Sequence, residues 1–298
     1  MKMLITGSSG FLGRNIFQAN CGIFSITQLN RSKSDLNIDL AQHQPLINET
    51  FDLVVHAAGK AHIVPKTEAE KQDFFKVNVT GTQNLLKGLE KAPELPNYFV
   101  FISSVAVYGI QTGHLIEEDA PLLAQDTYGR SKIEAEKIIE EWCAKNDVIS
   151  TILRLPLIAG PTPPGNLGAM IKGIKKGYYF NIADGKAKKS IVLASDVAKI
   201  IPVVAKIGGV YNLTDGYHPS FLELSEVIAK QLGKAKPSNV PMWAATVMAR
   251  TGDLFGSKSP LNSDKLSKII SDLTFDDTKA QRILGWQPTS VLSGFKIK

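Results

Sequence analysis

The sequence predicts an α/β protein built on a doubly wound parallel sheet, with a smaller second lobe. Two observations lead to this prediction. Short β-branched runs alternate with longer amphipathic runs through the first half of the chain, and a glycine-rich turn follows the first β-branched run. The length of 298 residues fits one large α/β domain with an appended lobe.

The β-branched runs of the first half are apolar on both faces, which is typical of buried parallel strands. They predict strands at residues 3–6, 24–29, 53–57, 98–103 and 150–155. The amphipathic runs between them predict helices at residues 11–19, 68–90 and 128–145. Because strand–helix–strand crossovers give parallel strands, we expect ligands beyond the carboxyl ends of the strands.

A run of turn-forming residues at 160–165 breaks this alternation. It divides the chain into a first domain, residues 1–160, and a second lobe, residues 161–298. Strands are predicted at 190–193 and 210–213, so we expect residues of about 190–213 to return to the first sheet. Helices are predicted at 221–232 and 278–284. The apolar run 240–249 is too short to cross a bilayer and contains Pro241, which predicts a core or interface helix.

Composition excludes several classes of protein. The chain is 44% hydrophobic and 21% charged, as in ordinary globular proteins, and its 34 Lys and Arg against 28 Asp and Glu form a surplus too diffuse to predict a nucleic-acid partner. The surplus favours an anionic small substrate. Cys21 and Cys143 lack the spacing of a zinc site or a disulfide framework, so we predict no metal and a reducing compartment. The chain enters a strand directly after Met1 without a signal peptide, so we expect a cytoplasmic protein and no membrane partner.

The turn after the first predicted strand has the spacing of a phosphate-binding loop. Gly7 permits a tight turn, Gly10 lets the backbone approach a pyrophosphate, and Gly13 lets the helix pack on the strand. The free N–H groups of the helix then face the diphosphate. A plain strand-to-helix turn is the alternative. The predicted cofactor contacts in this loop are Gly7, Ser9, Gly10, Phe11, Leu12 and Gly13.

The tip of the second strand predicts which dinucleotide binds. A carboxylate there accepts hydrogen bonds from the adenosine ribose, whereas a cation accommodates a 2′-phosphate. This chain has Asn30, Arg31 and Lys33 at the tip, and its first acid, Asp35, comes late. The tip therefore favours NADP(H), with NAD as the second choice, unless Arg31 and Lys33 are merely solvated charges.

A candidate acid–base unit follows the fourth predicted strand. Tyr128 and Lys132 are four residues apart and share one face of a helix. A nearby positive charge lowers the pKa of a phenol and lets it exchange a proton near neutral pH. Ser103 and Ser104 end a buried strand 24 residues earlier, where a hydroxyl could bond the same reacting oxygen.

Together these motifs resemble the extended short-chain dehydrogenases/reductases of the NAD-dependent epimerase/dehydratase family over nearly the whole chain. The Gly-x-x-Gly-x-x-Gly spacing and the Val107-Tyr108-Gly109 segment carry the likeness, and counting back from Val107 selects Ser104 over Ser103 as the catalytic hydroxyl. The resemblance implies a catalytic Ser104, Tyr128 and Lys132 in a Rossmann domain. It implies further cofactor contacts at Asn30, Arg31, Asp39, Leu40, Ala57, Ala58, Gly59, Asn78, Ser103, Tyr128, Lys132 and Pro156. For Asp39, a helix cap is almost as good an interpretation.

The second half resembles the nucleotide-sugar enzymes of that family. Arg154-Leu155-Pro156 is similar to the family's segment behind the nicotinamide. The strand that returns to the sheet in that family is similar to residues 195–198 followed by Tyr211-Asn212-Leu213. The implied substrate contacts are Ser104, Val105, Tyr128, Asn166, Leu167 and Lys189. Lys189, and more weakly Arg282, could meet a nucleoside diphosphate or be surface charges.

The resemblance also narrows the reaction. Val105 and Ala106 occupy the positions where similar 4,6-dehydratases carry an Asp-Glu pair, so dehydration is not expected. The histidines near loops, His62 and His114, are predicted to be solvated. We expect reduction of the C4 keto group of a UDP-linked 6-deoxy-4-keto sugar. Leu157, where many 4-epimerases carry Asn, leaves the hexose open.

Two other functions remain open at this stage. A UDP-sugar 4-epimerase uses the same three catalytic groups, and a non-catalytic NAD(P)-sensing regulator or binding protein typically loses the tyrosine or the lysine. The resemblance also implies a homodimer that pairs the predicted helices 68–90 and 128–145. Ile133, Ile138, Ile139 and Trp142 supply apolar surface for that pairing.

Overall fold

The structure is a computed structural model that describes residues 1–61, 63–256, 259 and 261–297. His62, predicted to be a solvated loop residue, lies outside the described residues. The strands in chain order are β1 (Lys2–Thr6), β2 (Ser25–Asn30), β3 (Leu36–Asn37), β4 (Leu53–His56), β5 (Tyr98–Ser104), β6 (Gly113–Ile116), β7 (Ile149–Leu155), β8 (Leu157–Ala159), β9 (Asn181–Ile182), β10 (Ile191–Leu193), β11 (Gly209–Asn212), β12 (Asn239–Val240) and β13 (Leu273–Phe275).

The helices begin and end as follows: α1 (Phe11–Asn20), α2 (Glu68–Phe75), α3 (Gly81–Leu89), α4 (Thr127–Lys145), α5 (Gly165–Lys176), α6 (Ala194–Ile207), α7 (Phe221–Gln231), α8 (Met242–Asp253), α9 (Ser263–Ile270), α10 (Thr278–Leu284) and α11 (Val291–Gly294). A π-helical turn (Lys76–Thr80) joins α2 to α3. A 3-10 turn (Val105–Tyr108) follows β5, and a second one (Ala183–Gly185) follows β9.

Seven parallel strands form the central sheet in the order β11-β7-β5-β4-β1-β2-β3. The order runs outward from β1 in both directions, which confirms the predicted doubly wound fold. Successive side chains of one strand enter opposite cores: Ile5 packs with α1 and α6, while Leu4 packs on the face covered by α3 and α4. This is why the strands are apolar on both faces.

The predicted helix 68–90 is interrupted. Thr67 and Glu70 form a capping box at the start of α2, and the chain then widens into the π-helical turn before α3 begins at Gly81. The predicted helix 128–145 corresponds to α4, where the Asp126 side chain accepts a hydrogen bond from the backbone N–H of Gly129 (3.0 Å).

The second half returns to the sheet by one strand rather than two. β11 pairs with β7 in the central sheet, but β10 pairs with β8 in a separate two-stranded sheet. Residues 195–198, interpreted from resemblance as part of the return to the sheet, lie in α6, which packs against α1. The rest of the lobe has its own core, formed mainly by α5, α7, β10 and α11.

The apolar residues assigned to a dimer contact are packed within the chain. Ile139 and Trp142 are buried, and the Trp142 indole N–H donates to the Glu90 carboxylate (2.9 Å). Ile133 and Ile138 are half-buried against two different core clusters. Packing within one chain therefore accounts for part of this apolar surface, and the dimer stays a prediction. No helix in the described part of the chain is long and apolar enough to cross a membrane.

Candidate active site

The phosphate loop has the backbone geometry that its glycines predict. Gly7 has a left-handed φ of +70°, and a Cβ there would lie 2.6 Å from the Ala58 nitrogen. A Cβ at Gly13 would lie 2.1 Å from the Gly7 carbonyl oxygen, so only glycine lets α1 approach the loop this closely. Helix α1 begins at Phe11 after Gly10, which has no side chain to cap the helix and leaves the first N–H groups free for an anion.

A cavity of about 600 Å³ opens along this loop. It brings together most of the predicted cofactor residues, and its shape and glycine cradle fit a dinucleotide. The predicted residues that line it are Gly7, Ser9, Gly10, Asn30, Arg31, Asp39, Leu40, Ala57, Ala58 and Gly59. Residues that sequence reasoning missed also line it, among them Ser32, Ile38, Gln42, Lys60, Asp73 and Val77. Asp73 lies in α2 and Val77 in the π-helical turn, while the others lie in the segments that follow β2, β3 and β4.

Eight predicted cofactor residues do not line this cavity: Phe11, Leu12, Gly13, Asn78, Ser103, Tyr128, Lys132 and Pro156. Leu12 is buried in the core, and the Phe11 ring packs at Gly160, where a Cβ would lie 2.8 Å from it. Pro156 links β7 to β8 and is half-buried.

The tip of β2 presents a cation and no carboxylate to the cavity. Arg31 is exposed and lines the cavity, while the Asp35 carboxylate accepts the backbone N–H of Gln28 (2.7 Å) and is thereby turned toward the strand. The Asn30 amide is fixed by donating to Ser8 Oγ (2.7 Å). Asp39 fits both of its interpretations, because it lines the cavity and also accepts the backbone N–H of Ala41 (3.1 Å).

The catalytic candidates meet at the carboxyl end of β5. Ser104 ends β5, and its Oγ accepts the backbone N–H of Ala106 (3.2 Å), which leaves its own O–H free to donate. Tyr128 stands in the first turn of α4 with its ring edge-on to Phe74, at 6.2 Å between centroids. Lys132 Nζ donates to the Ile102 carbonyl (2.8 Å).

Burial decides the electrostatics of this cluster. It raises the pKa of Tyr128 to about 12, while a hydrogen bond with Ser104 acts in the opposite direction. It lowers the pKa of Lys132 to about 8, against the raising effect of the Glu136 carboxylate. The expected lowering of the Tyr128 pKa is therefore wrong for this structure, because desolvation of the phenol outweighs the favourable contacts. The phenol carries its proton at neutral pH.

A buried ion pair that sequence reasoning missed lies behind the cluster. Arg154 Nη2 donates to Glu136 Oε2 (2.8 Å), and both side chains are at most 6% exposed. Ser103 donates a hydrogen bond to the same carboxylate. Arg154 Nη1 also donates a hydrogen bond to the Tyr108 hydroxyl (3.1 Å). Ser103 is thereby engaged beneath the strand end, which leaves Ser104 as the hydroxyl beside Tyr128, as predicted from its spacing to Val107.

The π-helical turn places Asn78 between the loop after β4 and α4. Its Nδ2 donates to Ser131 Oγ (2.9 Å) and to the Lys60 carbonyl (3.1 Å), and its Oδ1 accepts the Lys60 backbone N–H (2.7 Å). Asn78 is buried, and these bonds hold the loop that follows β4 against the helix that carries the catalytic pair. The resemblance implied a cofactor contact here; the hydrogen bonds show a positioning role.

The predicted substrate contacts of the second lobe are not brought to the cavity. Asn166 is exposed in the first turn of α5, whereas the Leu167 side chain is buried in the lobe core. Lys189 Nζ donates to the Lys268 and Ser271 carbonyls (3.0 and 2.8 Å), so its ammonium caps the end of α9. Arg282 borders a separate acidic cleft that Glu117 and Asp276 also line.

Comparison with known proteins agrees with this geometry. The sequence model of the NAD dependent epimerase/dehydratase family matches residues 3–213. The chain belongs to this family. The matched range holds the phosphate loop, all three catalytic candidates and β11, so the family part of the chain includes the strand that returns to the sheet.

Curated relatives of this family member cover almost its full length. A UDP-glucose 4-epimerase of Vibrio cholerae is 28% identical, over 99% of this chain and 93% of the relative. An N-acetyl-alpha-D-glucosaminyl-diphospho-ditrans,octacis-undecaprenol 4-epimerase of Escherichia coli O157:H7 is also 28% identical, over 93% of this chain and 88% of the relative.

Solved structures share the fold at low sequence identity. MoeE5 in complex with UDP-glucose and NAD has a TM-score of 0.74 and 19% identity, covering 99% of this chain and 96% of that chain. RMD from Pseudomonas aeruginosa complexed with NADPH has a TM-score of 0.73 and 21% identity, covering 98% and 95%.

Proposed function

We propose that this protein transfers a hydride at C4 of a nucleoside-diphosphate sugar, and that its net reaction is the NADPH-dependent reduction of a UDP-linked 6-deoxy-4-keto sugar. The observation that carries the choice of reaction is the β2 tip, where Arg31 lines the cavity and Asp35 is engaged with the backbone of Gln28. A cation at this position suits the 2′-phosphate of NADPH. A phosphorylated reductant that is consumed must exchange after every turnover, which suits a reductase.

The residues of the cavity would hold the dinucleotide in a defined direction. The loop from Gly7 to Gly10 and the N-terminus of α1 would bind the diphosphate, and Asp39 with Leu40 would lie at the adenine. Lys132, donating to the Ile102 carbonyl, would hold the nicotinamide ribose. When bound, the dinucleotide supplies the hydride to C4.

Two hydroxyl groups would act on the C4 oxygen, one as proton donor and one as hydrogen-bond donor. Tyr128 is protonated at neutral pH because burial raises its pKa to about 12, so it acts as the proton donor that a carbonyl reduction needs. The Ser104 hydroxyl, which hydrogen-bonds Tyr128 in this structure, would donate to the same oxygen and polarise the carbonyl. Lys132, with a pKa lowered to about 8, is mostly an ammonium at neutral pH and stabilises negative charge on the phenol.

Dehydration lacks its proton carriers in this chain. Val105 and Ala106 follow Ser104 directly, and Val105 is half-buried beside the cluster of Val107 and Tyr108. Neither side chain can take or give a proton, so the elimination of water is not supported.

A UDP-sugar 4-epimerase is the second candidate, and the names of the curated relatives favour it. An epimerase removes and returns the hydride at C4 with the sugar turned between the two steps. Ser104, Tyr128 and Lys132 would serve both steps, so the site geometry alone supports either outcome.

One experiment separates the two reactions. The protein is incubated with NADPH and a 4-keto-6-deoxy UDP-sugar generated in situ, and separately with UDP-glucose, UDP-galactose and their N-acetyl forms without added reductant. We expect oxidation of NADPH with the keto sugar only. Interconversion of the C4 epimers without net oxidation would replace the reductase by the epimerase, and the absence of both reactions would favour a cofactor-sensing regulator.

We further expect a UDP moiety as the substrate anchor, a cytoplasmic location and a homodimer. The names of several relatives and solved neighbours support the UDP moiety. Light scattering at micromolar concentration tests the dimer, and a monomeric mass would contradict it.

A further inference from the structure

Helix α8 packs with its small residues inward and its large apolar residues outward. Ala245, Ala249 and Gly252 are buried against the α9 side, and a Cβ at Gly252 would lie 1.8 Å from the Leu261 carbonyl oxygen. The helix is therefore pressed against its neighbour. A core helix normally buries its large residues, so the arrangement of α8 is inverted.

The outward stripe of α8 consists of Trp243, Val247, Arg250 and Leu254, which are spaced by three or four residues on one helical face. Trp243 is 73% exposed, Val247 58% and Leu254 84%. Phe255, directly after the stripe, is 73% exposed as well. We call these residues the α8 face. An exposed apolar stripe of this kind marks a contact surface.

The second lobe, which contains the α8 face, carries a net positive charge. Residues 161–298 carry 19 Lys and Arg against 10 Asp and Glu, whereas residues 1–160 carry 15 against 18, so the surplus is concentrated in one half and not diffuse as expected. Arg250 stands within the stripe. Asp253, the acidic residue of α8, accepts two hydrogen bonds from Ser263 and is turned toward α9.

We propose that the α8 face binds the surface of an anionic lipid bilayer. Tryptophan and aliphatic residues with an arginine on one helical face are typical of helices that lie in the membrane interface. Anionic headgroups complement a lobe with this excess of positive charge. A second copy of the chain is disfavoured as the occupant, because pairing through this face would bring two basic lobes together.

This proposal departs from the sequence expectation of no membrane partner, and it stands independently of the proposed reaction. It concerns binding at the surface of a bilayer and needs no spanning helix. Membrane binding would account for the exposed apolar residues between 242 and 255, which belong neither to the core nor to the catalytic cluster.

Trp243 provides a direct test. Trp142 and Trp286 are 8% and 4% exposed, so an environment change on vesicle binding reports on Trp243. The full-length protein is mixed with phosphatidylcholine vesicles with or without phosphatidylglycerol, and tryptophan emission and co-sedimentation are recorded. We expect a blue shift and co-sedimentation with the phosphatidylglycerol vesicles, both weakened by salt. The variant Trp243→Phe should sediment with the vesicles but lose the blue shift.

A paired substitution locates the binding face. Val247→Glu with Leu254→Glu should lower binding to phosphatidylglycerol vesicles by about tenfold or more. The matched control Ile23→Glu, at a site in the first domain that is 61% exposed, should bind like the unmodified protein. Circular dichroism verifies that both variants fold. Absence of binding to anionic vesicles, or full binding by the paired variant, would overturn the proposal. A dimer that the paired substitution dissociates, without vesicle binding, would assign the face to a second copy instead.

Discussion

Helix α4 in the first domain and helix α8 in the second lobe are both amphipathic, but they bury opposite kinds of side chain. In α4 the buried face contains the large apolar residues Ile139 and Trp142 and two charged residues, Lys132 and Glu136. In α8 the buried face contains only alanine and glycine, and Trp243 points outward. The first helix uses its large residues to hold a reaction centre, whereas the second leaves them free for contact.

Apolar periodicity therefore predicts a helix but does not determine which of its faces is buried. Both runs indicate a helix with an apolar side, and the predicted dimer contact on α4 stays a prediction. Trp243, Val247 and Leu254 of the α8 face are exposed, whereas Ile139 and Trp142 of α4 are buried.

The largest effect is expected at the buried ion pair of the first domain. Glu136→Ala leaves the Arg154 guanidinium buried without its carboxylate and should lower the free energy of unfolding by about 3–5 kcal/mol. Urea denaturation measures the change. The double variant Glu136→Leu with Arg154→Met removes both charges and should recover much of the loss. A single variant as stable as the unmodified protein would contradict the role given to this pair.

The next effect is catalytic. Tyr128→Phe removes the proton donor while keeping the ring beside Phe74, so turnover should fall by about 10²-fold or more. Fluorescence titration should show unchanged dinucleotide binding. If the variant kept its turnover, Tyr128 would not be the acid–base group, and another residue would have to supply the proton.

The cofactor tip should show a smaller, selective effect. Arg31→Ala should weaken NADPH binding by roughly tenfold to a hundredfold, the value of a charged hydrogen bond, and leave NADH binding unchanged. Lys33→Ala is the matched control, because Lys33 is exposed on the same turn but does not line the cavity. Equal affinities of the unmodified protein for NADPH and NADH would remove the main argument for a reductase.

The pH dependence follows from Lys132. Burial lowers its pKa to about 8, so the ammonium form prevails below that pH and is lost as the pH rises through it. The value of kcat/KM should therefore fall by about tenfold for each pH unit above about 8. Steady-state rates from about pH 6 to about pH 10 give the profile, and circular dichroism at each pH verifies that the protein stays folded. A profile that is flat across pH 8 would contradict the assignment.

The smallest effect is expected on the α8 face. Val247→Glu should change the free energy of unfolding by no more than about 0.5 kcal/mol, because the side chain is 58% exposed and supports no core. Thermal denaturation measures this change in the free energy of unfolding, with Glu136→Ala as the variant for comparison. A loss of several kcal/mol would show that the face is part of the core and would erase the contrast between α4 and α8.

The sequence predicted most of what depends on neighbouring residues. Strand alternation, the turn at Gly7, the spacing of Tyr128 to Lys132 and the position of Ser104 are local signals, and the structure contains each of them. The fold class and the family were confirmed for the same reason.

What the sequence missed depends on distant partners. Arg154 and Glu136 meet only after α4 packs on the sheet, and Lys189 finds the end of α9 about 80 residues away. Burial of the Tyr128 phenol, which reverses the expected direction of its pKa, is likewise a property of the packed chain. Helix α6 was missed because its start resembled the returning segment of a related strand.

The place of β11 in the sheet affects how the chain folds as it is synthesised. β11 completes the edge of the sheet beside β7, yet residues 156–208, including α5 and α6, lie between these strands. The nascent first domain therefore has β7 as an open edge until residue 212 has left the ribosome, and an open edge is a template for pairing with other chains. Slow translation before that point would prolong this exposure.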